Sequence, residues 1–145
     1  MDKKISIAVA AMIILIISFL FLYLSVGYSK KHNLTIRKIT PSTTKIYSDS
    51  VIEVNVTVEN EGDFLETFNV TLYSNNTIIE TVYSITLEPK TEGDITFTWN
   101  TSNFPNGNYY IKAEASILPE ETNTTDNILV YGPIMILSKP VPVSY

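Results

Sequence analysis

Between Pro119 and Val130 the stretch PEETNTTDNILV gathers Glu120, Glu121, Asn123, Asp126 and Asn127 into one short segment. Carboxylates and amides at this spacing could hold calcium through hard oxygen ligands, carry a sugar on Asn123, or fold back onto backbone N–H groups as a turn. Glu120, Glu121 and Asp126 are the calcium candidates, although the D-x-[DN]-x-[DN]-G spacing of a calcium loop is absent. The turn needs nothing beyond the residues themselves, because Asn and Asp bond nearby backbone and tolerate positive φ.

Other reactive groups are sparse. The one imidazole, His32, lies in a basic stretch beside an apolar run, so no Ser-His-Asp set is expected within the folded part. The chain has no cysteine, which excludes disulfides, thiolate metal sites and Cys-His nucleophiles. Zinc lacks nitrogen ligands, and the five glycines form no phosphate loop. A carboxylate pair for glycoside hydrolysis would need a cleft that one small domain seldom provides. The expectation is a protein that is not an enzyme, with no cofactor.

Charge narrows the partners. From Ile39 onward four basic residues stand against 14 acidic ones, a net of roughly −10. Nucleic acid needs a basic stripe to meet its phosphates, so it is excluded as a partner. The basic cluster Lys30, Lys31, Arg37 and Lys38 follows the apolar run and suits a flank touching lipid headgroups.

That apolar run, Ile5 to Val26, contains no charged side chain. As a helix its roughly 22 residues would reach about 33 Å, the thickness of a bilayer's hydrocarbon core. The expected organisation is an N-terminal transmembrane signal anchor over 1–28, a basic juxtamembrane linker over 29–33, a domain over 34–138 and a tail over 139–145. Tyr23 and Tyr28 suit the interfacial belt, and Lys3 and Lys4 a cytoplasmic start. A competing reading is a secretory signal cut before Tyr28, behind Ser25 and Gly27, but such signals have apolar cores of only about 7–15 residues. Basic residues on both sides leave orientation open, and counted literally they turn the domain toward the cytoplasm. Six N-x-[ST] acceptors, at Asn33, Asn55, Asn69, Asn75, Asn100 and Asn123, favour the opposite: a single-pass cell-membrane protein with an extracellular, glycosylated domain.

Beyond the run the hydrophobic period changes to two. VIEVNVTVEN alternates Ile52, Val54, Val56 and Val58 against polar neighbours, as a strand with one wet face requires. ETFNVTLYS turns Phe68, Val70 and Leu72 inward, DITFTWN turns Ile95, Phe97 and Trp99, and NYYIKAEASI turns Tyr109, Ile111, Ala113 and Ala115. ENEGDF, YSNNT and FPNGNY read as tight turns. With LTIRKI, IIETVYSITL and ILVYGPIMIL added, about seven strands occupy the domain, which predicts an all-β, immunoglobulin-like Greek-key sandwich behind one helix. Trp99 and Tyr109 are expected as core anchors, with the Tyr109 hydroxyl bonded to backbone near its turn.

The order NLTIRKITPS, VNVTVENEGD, NVTLYSNNTIIET, ITLEPKTEGDITFTWN, NGNYYIKAEAS and EETNTTDN resembles the blocks of the CARDB domain, an adhesion-related, immunoglobulin-like module of bacterial and archaeal surface proteins. The likeness covers nearly everything after Asn33. It implies that Glu121, Asn123, Asp126 and Asn127 form the acidic, Asn-rich segment leading into the last strand and stabilise a turn there. Unlike many members, which stand in tandem or beside enzymes, this chain carries one copy behind an apolar run.

These readings converge on a membrane-anchored binding or adhesion domain, with an envelope protein, a surface layer or a glycan as partner. Two alternatives stay open. The segment Leu34–Ile39 or the tail SKPVPVSY could add as a strand to a neighbour, joining subunits of a fibre, pilus or motility complex through sheet edges. The domain could also be an accessory of a neighbouring hydrolase.

Overall fold

The computed structural model describes residues 3–25 and 29–142, with side chains of the N-terminal helix described over 9–22. Helix α1 runs Lys3–Ser25 and is followed by eight strands: β1 Leu34–Pro41, β2 Lys45–Tyr47, β3 Val51–Asn60, β4 Glu66–Ser74, β5 Thr77–Leu87, β6 Thr91–Asn100, β7 Gly107–Ala115 and β8 Ile128–Leu137. They form a three-stranded sheet in the order β1-β3-β6 and a five-stranded sheet in the order β2-β8-β7-β4-β5. All pairings are antiparallel except β2 with β8.

The sandwich core follows from alternation. Every residue expected to face inward on β3, β4 and β6 is buried, and so are Ile111, Ala113 and Ala115 on β7. Trp99 and Phe97 are among the largest fully buried side chains, consistent with two apolar faces packed together. Tyr109 is half-buried and donates its hydroxyl to the Pro105 carbonyl at 2.6 Å, tying the start of β7 to the preceding loop.

Four expectations need correction. Strand β2 raises the count from seven to eight; at three residues, it is too short to display a period. Of the three predicted tight turns, YSNNT alone closes a hairpin, between β4 and β5, with Asn75 at φ 51°. ENEGDF and FPNGNY instead carry the chain from one sheet to the other. The membrane span is not met on the described residues, among which no helix is long and apolar enough to cross a membrane. The interfacial roles expected of Tyr23 and Tyr28, the lysine side chains at 3 and 4 and the possible cut before Tyr28 lie outside the described side chains.

Candidate functional site

The acidic segment closes the free edge of β1. Glu121 accepts the Leu34 N–H at 2.7 Å through Oε1, and its Oε2 accepts the Leu118 N–H and the Asn127 amide, each at 2.9 Å. Two residues along β1, Ile36 donates its N–H to the Asp126 carbonyl at 2.8 Å, and the Thr35 hydroxyl reaches the Asp126 carboxylate at 3.2 Å. An edge strand exposes alternate N–H groups as a template for another chain, and here two of them are taken by one loop. Leu34–Ile39, the segment that strand addition would require, is therefore bonded into its own domain.

The same contacts place the calcium candidates. Glu121 and Asp126 come to one strand edge but spend carboxylate oxygens on protein donors, while Glu120 is an exposed positive-φ residue at 62°. Among the described residues no group of three or more His, Asp and Glu side chains is placed to hold a metal ion. Asn123 donates its amide to Asp126 at 2.5 Å, completing a turn of the kind the resemblance implied.

Residues expected to form a linker are instead part of the domain. The Lys31 carbonyl accepts the Asp63 N–H while the Lys31 N–H donates to the Asp63 carboxylate, and the Asn33 carbonyl accepts the Glu61 N–H. His32 stacks on Phe64 with ring centroids 4.4 Å apart and lies 2.6 Å from the buried Glu66 carboxylate. The imidazole thus belongs to the sandwich and not to a membrane flank, and its sequence separation from Glu66 hid the pair. Asn60 ties the same region together: its amide donates to the Phe64 and Leu87 carbonyls, and its oxygen accepts the Gly62 N–H. Gly62 is required by close approach, since a Cβ there would stand 2.9 Å from the Lys31 carbonyl oxygen.

The four expected headgroup cations divide. Lys30 is exposed, its ammonium 5.6 Å over the Phe64 ring, and Lys31 and Lys38 are exposed as well. Arg37 is held by Glu59 and Glu61, and the Glu59 hydrogen bond, more than any other contact, raises its pKa above the ordinary value. It is a neutralised cation on the β1 bulge, so the cluster is not one basic flank.

The sequon asparagines also divide. Asn33 is 5% exposed and donates its amide nitrogen, the atom that would carry a glycan, to Glu61 at 2.8 Å. Asn123 commits the same atom to Asp126. Asn55 and Asn69 are half-buried in strands. Asn75 and Asn100 are exposed at strand ends, where their amide oxygens accept from the Tyr110 N–H and from Ser102.

Those two asparagines line a cavity of about 480 Å³ bounded by residues of the edge strands β5 and β6 of the two sheets and of the loop after β6. Its walls include a ring cluster, Trp99, Phe104 and Tyr109, whose centroids are 5.1–5.9 Å apart in edge-to-face pairs. The Ser74 hydroxyl and the Trp99 indole N–H, both from residues lining this cavity, are buried with no nitrogen or oxygen partner in the protein. Each such group costs about 1–3 kcal/mol while it stays unpaired. Buried spare oxygens on Asp126 and Asn127 differ, because other atoms of those side chains are bonded.

Buried polar groups that serve structure, combined with two sheets joined by crossovers, define a β-sandwich module. The CARDB family model matches residues 31–130. The chain therefore belongs to the CARDB family. Solved structures agree on the fold. A CARDB domain of Pyrococcus furiosus, crystallised in complex with di-metal ions, superposes with TM-score 0.65 at 22% identity, covering 78% of this chain and 100% of that one. A domain from Methanosarcina acetivorans, whose given name is that of a cell-surface protein, has TM-score 0.59 at 20% identity over 75% of this chain and 95% of its own. A β-glucosidase of Erythrobacter marinus contains the fold as a segment, with TM-score 0.56 at 16% identity over 73% of this chain but 16% of the enzyme. No curated protein sequence matches the chain.

Proposed function

We propose that the chain displays one non-catalytic CARDB sandwich outside a cell, its N-terminal helix covered by lipid or another protein, and that it acts by binding another envelope component. The observation that carries this reading is α1. Every described side chain from Val9 to Leu22 is exposed, Met12, Ile14, Phe19 and Phe21 among them. A helix apolar on all its described sides needs lipid or protein to cover it. The sandwich supports binding over catalysis because His32, Glu66, Glu121 and Asp126 are engaged with neighbours that fix the fold. The cell-surface name of the Methanosarcina acetivorans domain supports the location.

Fractionation of source cells tests what covers the helix and which side of the membrane the sandwich faces. The full chain should stay with membranes through an alkaline carbonate wash, and external protease should remove the sandwich from intact cells. Release by carbonate, protection from protease, or an intact mass beginning near Tyr28 would overturn the reading. Cross-linking in intact cells should then join the chain to a second envelope component. An accessory role for a separate hydrolase is favoured by the β-glucosidase segment; glycosidase activity copurifying with the cross-linked chain would select it.

A further inference from the structure

The six N-x-[ST] acceptors carry an inference that rests on, and deepens, the reading of a sandwich displayed outside a cell: we infer that Asn75 and Asn100 are its N-glycan carriers and that the other four asparagines stay bare. The co-reactant is a lipid-linked sugar phosphate, brought by a transferring enzyme of the exporting membrane. The asparagine Nδ2 forms a bond to the anomeric carbon of the sugar. The C1–O bond to phosphate breaks, its electron pair leaves on the lipid phosphate, and one amide proton passes to a base of the enzyme. An acceptor therefore needs a free amide nitrogen, a bend that brings the hydroxyl two residues on to its side chain, and open space for the sugar.

These requirements sort the six. Asn100 is exposed at the end of β6, and its amide oxygen accepts the Ser102 N–H at 3.0 Å and the Ser102 hydroxyl at 2.7 Å. Its triplet is thus already bent, with the hydroxyl on the amide. Asn75 stands at φ 51° in the β4–β5 turn, with Asn76 and Thr77 exposed beside it, and its oxygen accepts the Tyr110 N–H at 3.1 Å. Among the described residues neither amide nitrogen is hydrogen-bonded, so each side chain is fixed by its oxygen and keeps its nitrogen for reaction.

The other four fail on particular points. Asn33 is buried with its nitrogen 2.8 Å from Glu61, and the Thr35 hydroxyl of its triplet is bonded to Asp126. Asn55 and Asn69 lie inside β3 and β4, where residues two apart are separated by about 7 Å. The hydroxyls of their triplets, Thr57 and Thr71, are engaged with Asp94 and Thr81. Asn123 is exposed and its oxygen meets the Thr125 hydroxyl, but its nitrogen lies 2.5 Å from the Asp126 carboxylate. A sugar on that nitrogen would crowd the loop that grips β1. Asn75 and Asn100, by contrast, line one cavity at the end of the sandwich opposite the start of β1, so both glycans stand at that end and leave the outer sheet faces open to a partner.

The test uses the full chain from membranes of source cells. Its intact mass should exceed the sequence mass by two glycans, and fragmentation of glycopeptides should place them on Asn75 and Asn100. Thr77→Ala and Ser102→Ala keep both asparagines and remove only the acceptor hydroxyls, so each should lose one glycan and the double variant both. Thr57→Ala and Thr125→Ala, which delete two of the other acceptors, should lose none. A glycan on Asn33, Asn55, Asn69 or Asn123, or its absence from Asn75 or Asn100, would overturn the assignment. External protease on the same intact cells separates the two failures. A bare sandwich that protease removes sinks the carriers alone, whereas a bare sandwich protected from protease sinks the display reading with them.

Discussion

The two ends of the sandwich solve the burial of polar groups in opposite ways. At the end where β1 begins, Asn33, Asn60, Glu66 and Glu121 are drawn in from distant parts of the chain and bonded to each other's segments. At the end where β6 finishes, Ser74 and Trp99 leave polar hydrogens unpaired beside a cavity walled by rings. The first arrangement makes structure from polarity; the second holds polarity in reserve. The expected signature is that removing a polar group destabilises the first end and leaves the second unchanged or improved.

Trp99→Ala is the harshest test of the cavity end. It deletes a fully buried indole and should cost about 3–5 kcal/mol, read from the urea midpoint by circular dichroism. Glu121→Ala should follow at about 2–4 kcal/mol, because the Leu34 and Leu118 N–H groups and the Asn127 amide lose their acceptor. It should also raise self-association by light scattering, since the covered edge of β1 is opened. Gly62→Ala should cost about 1–3 kcal/mol and speed amide exchange at residues 31–34, where its Cβ pushes on the Lys31 carbonyl. Ser74→Ala should shift the midpoint by less than about 1 kcal/mol and toward greater stability, because it removes a buried hydroxyl with no protein partner. A loss as large as that of Glu121→Ala would erase the contrast. Arg37→Ala should leave the midpoint unmoved, its ion pairs being exposed to solvent.

Much of this was legible in the period-two pattern. Ile52, Val54, Val56 and Val58 announce their face, and the next residue of that register is Asn60, a buried amide. On β4 the register of Phe68, Val70 and Leu72 begins with Glu66 and ends with Ser74, and on β6 it passes from Trp99 to Thr101; all of these polar residues are buried. A polar side chain at the end of an inward register was therefore the available signal for the polar groups that matter. Partner identity was not readable. His32 meets Glu66 across 34 positions and Leu34 meets Glu121 across 87, distances over which no local pattern carries information. The acidic segment read correctly as a turn, but its role as the cover of a strand edge required the topology. Strand β2 escaped because three residues define no period.

The loop that covers β1 also sets how the domain bears load. Strand β1 begins at Leu34, opposite Asn60, whereas β8 finishes at Leu137, beside Tyr47 at the far end of the sandwich. A pull between the two ends of the domain runs along the strands, so the β1–β3 ladder is sheared as a block and not opened one rung at a time. Glu121 and Asp126 grip β1 from its other side, which makes the first strand to feel a tether also the one held on both edges.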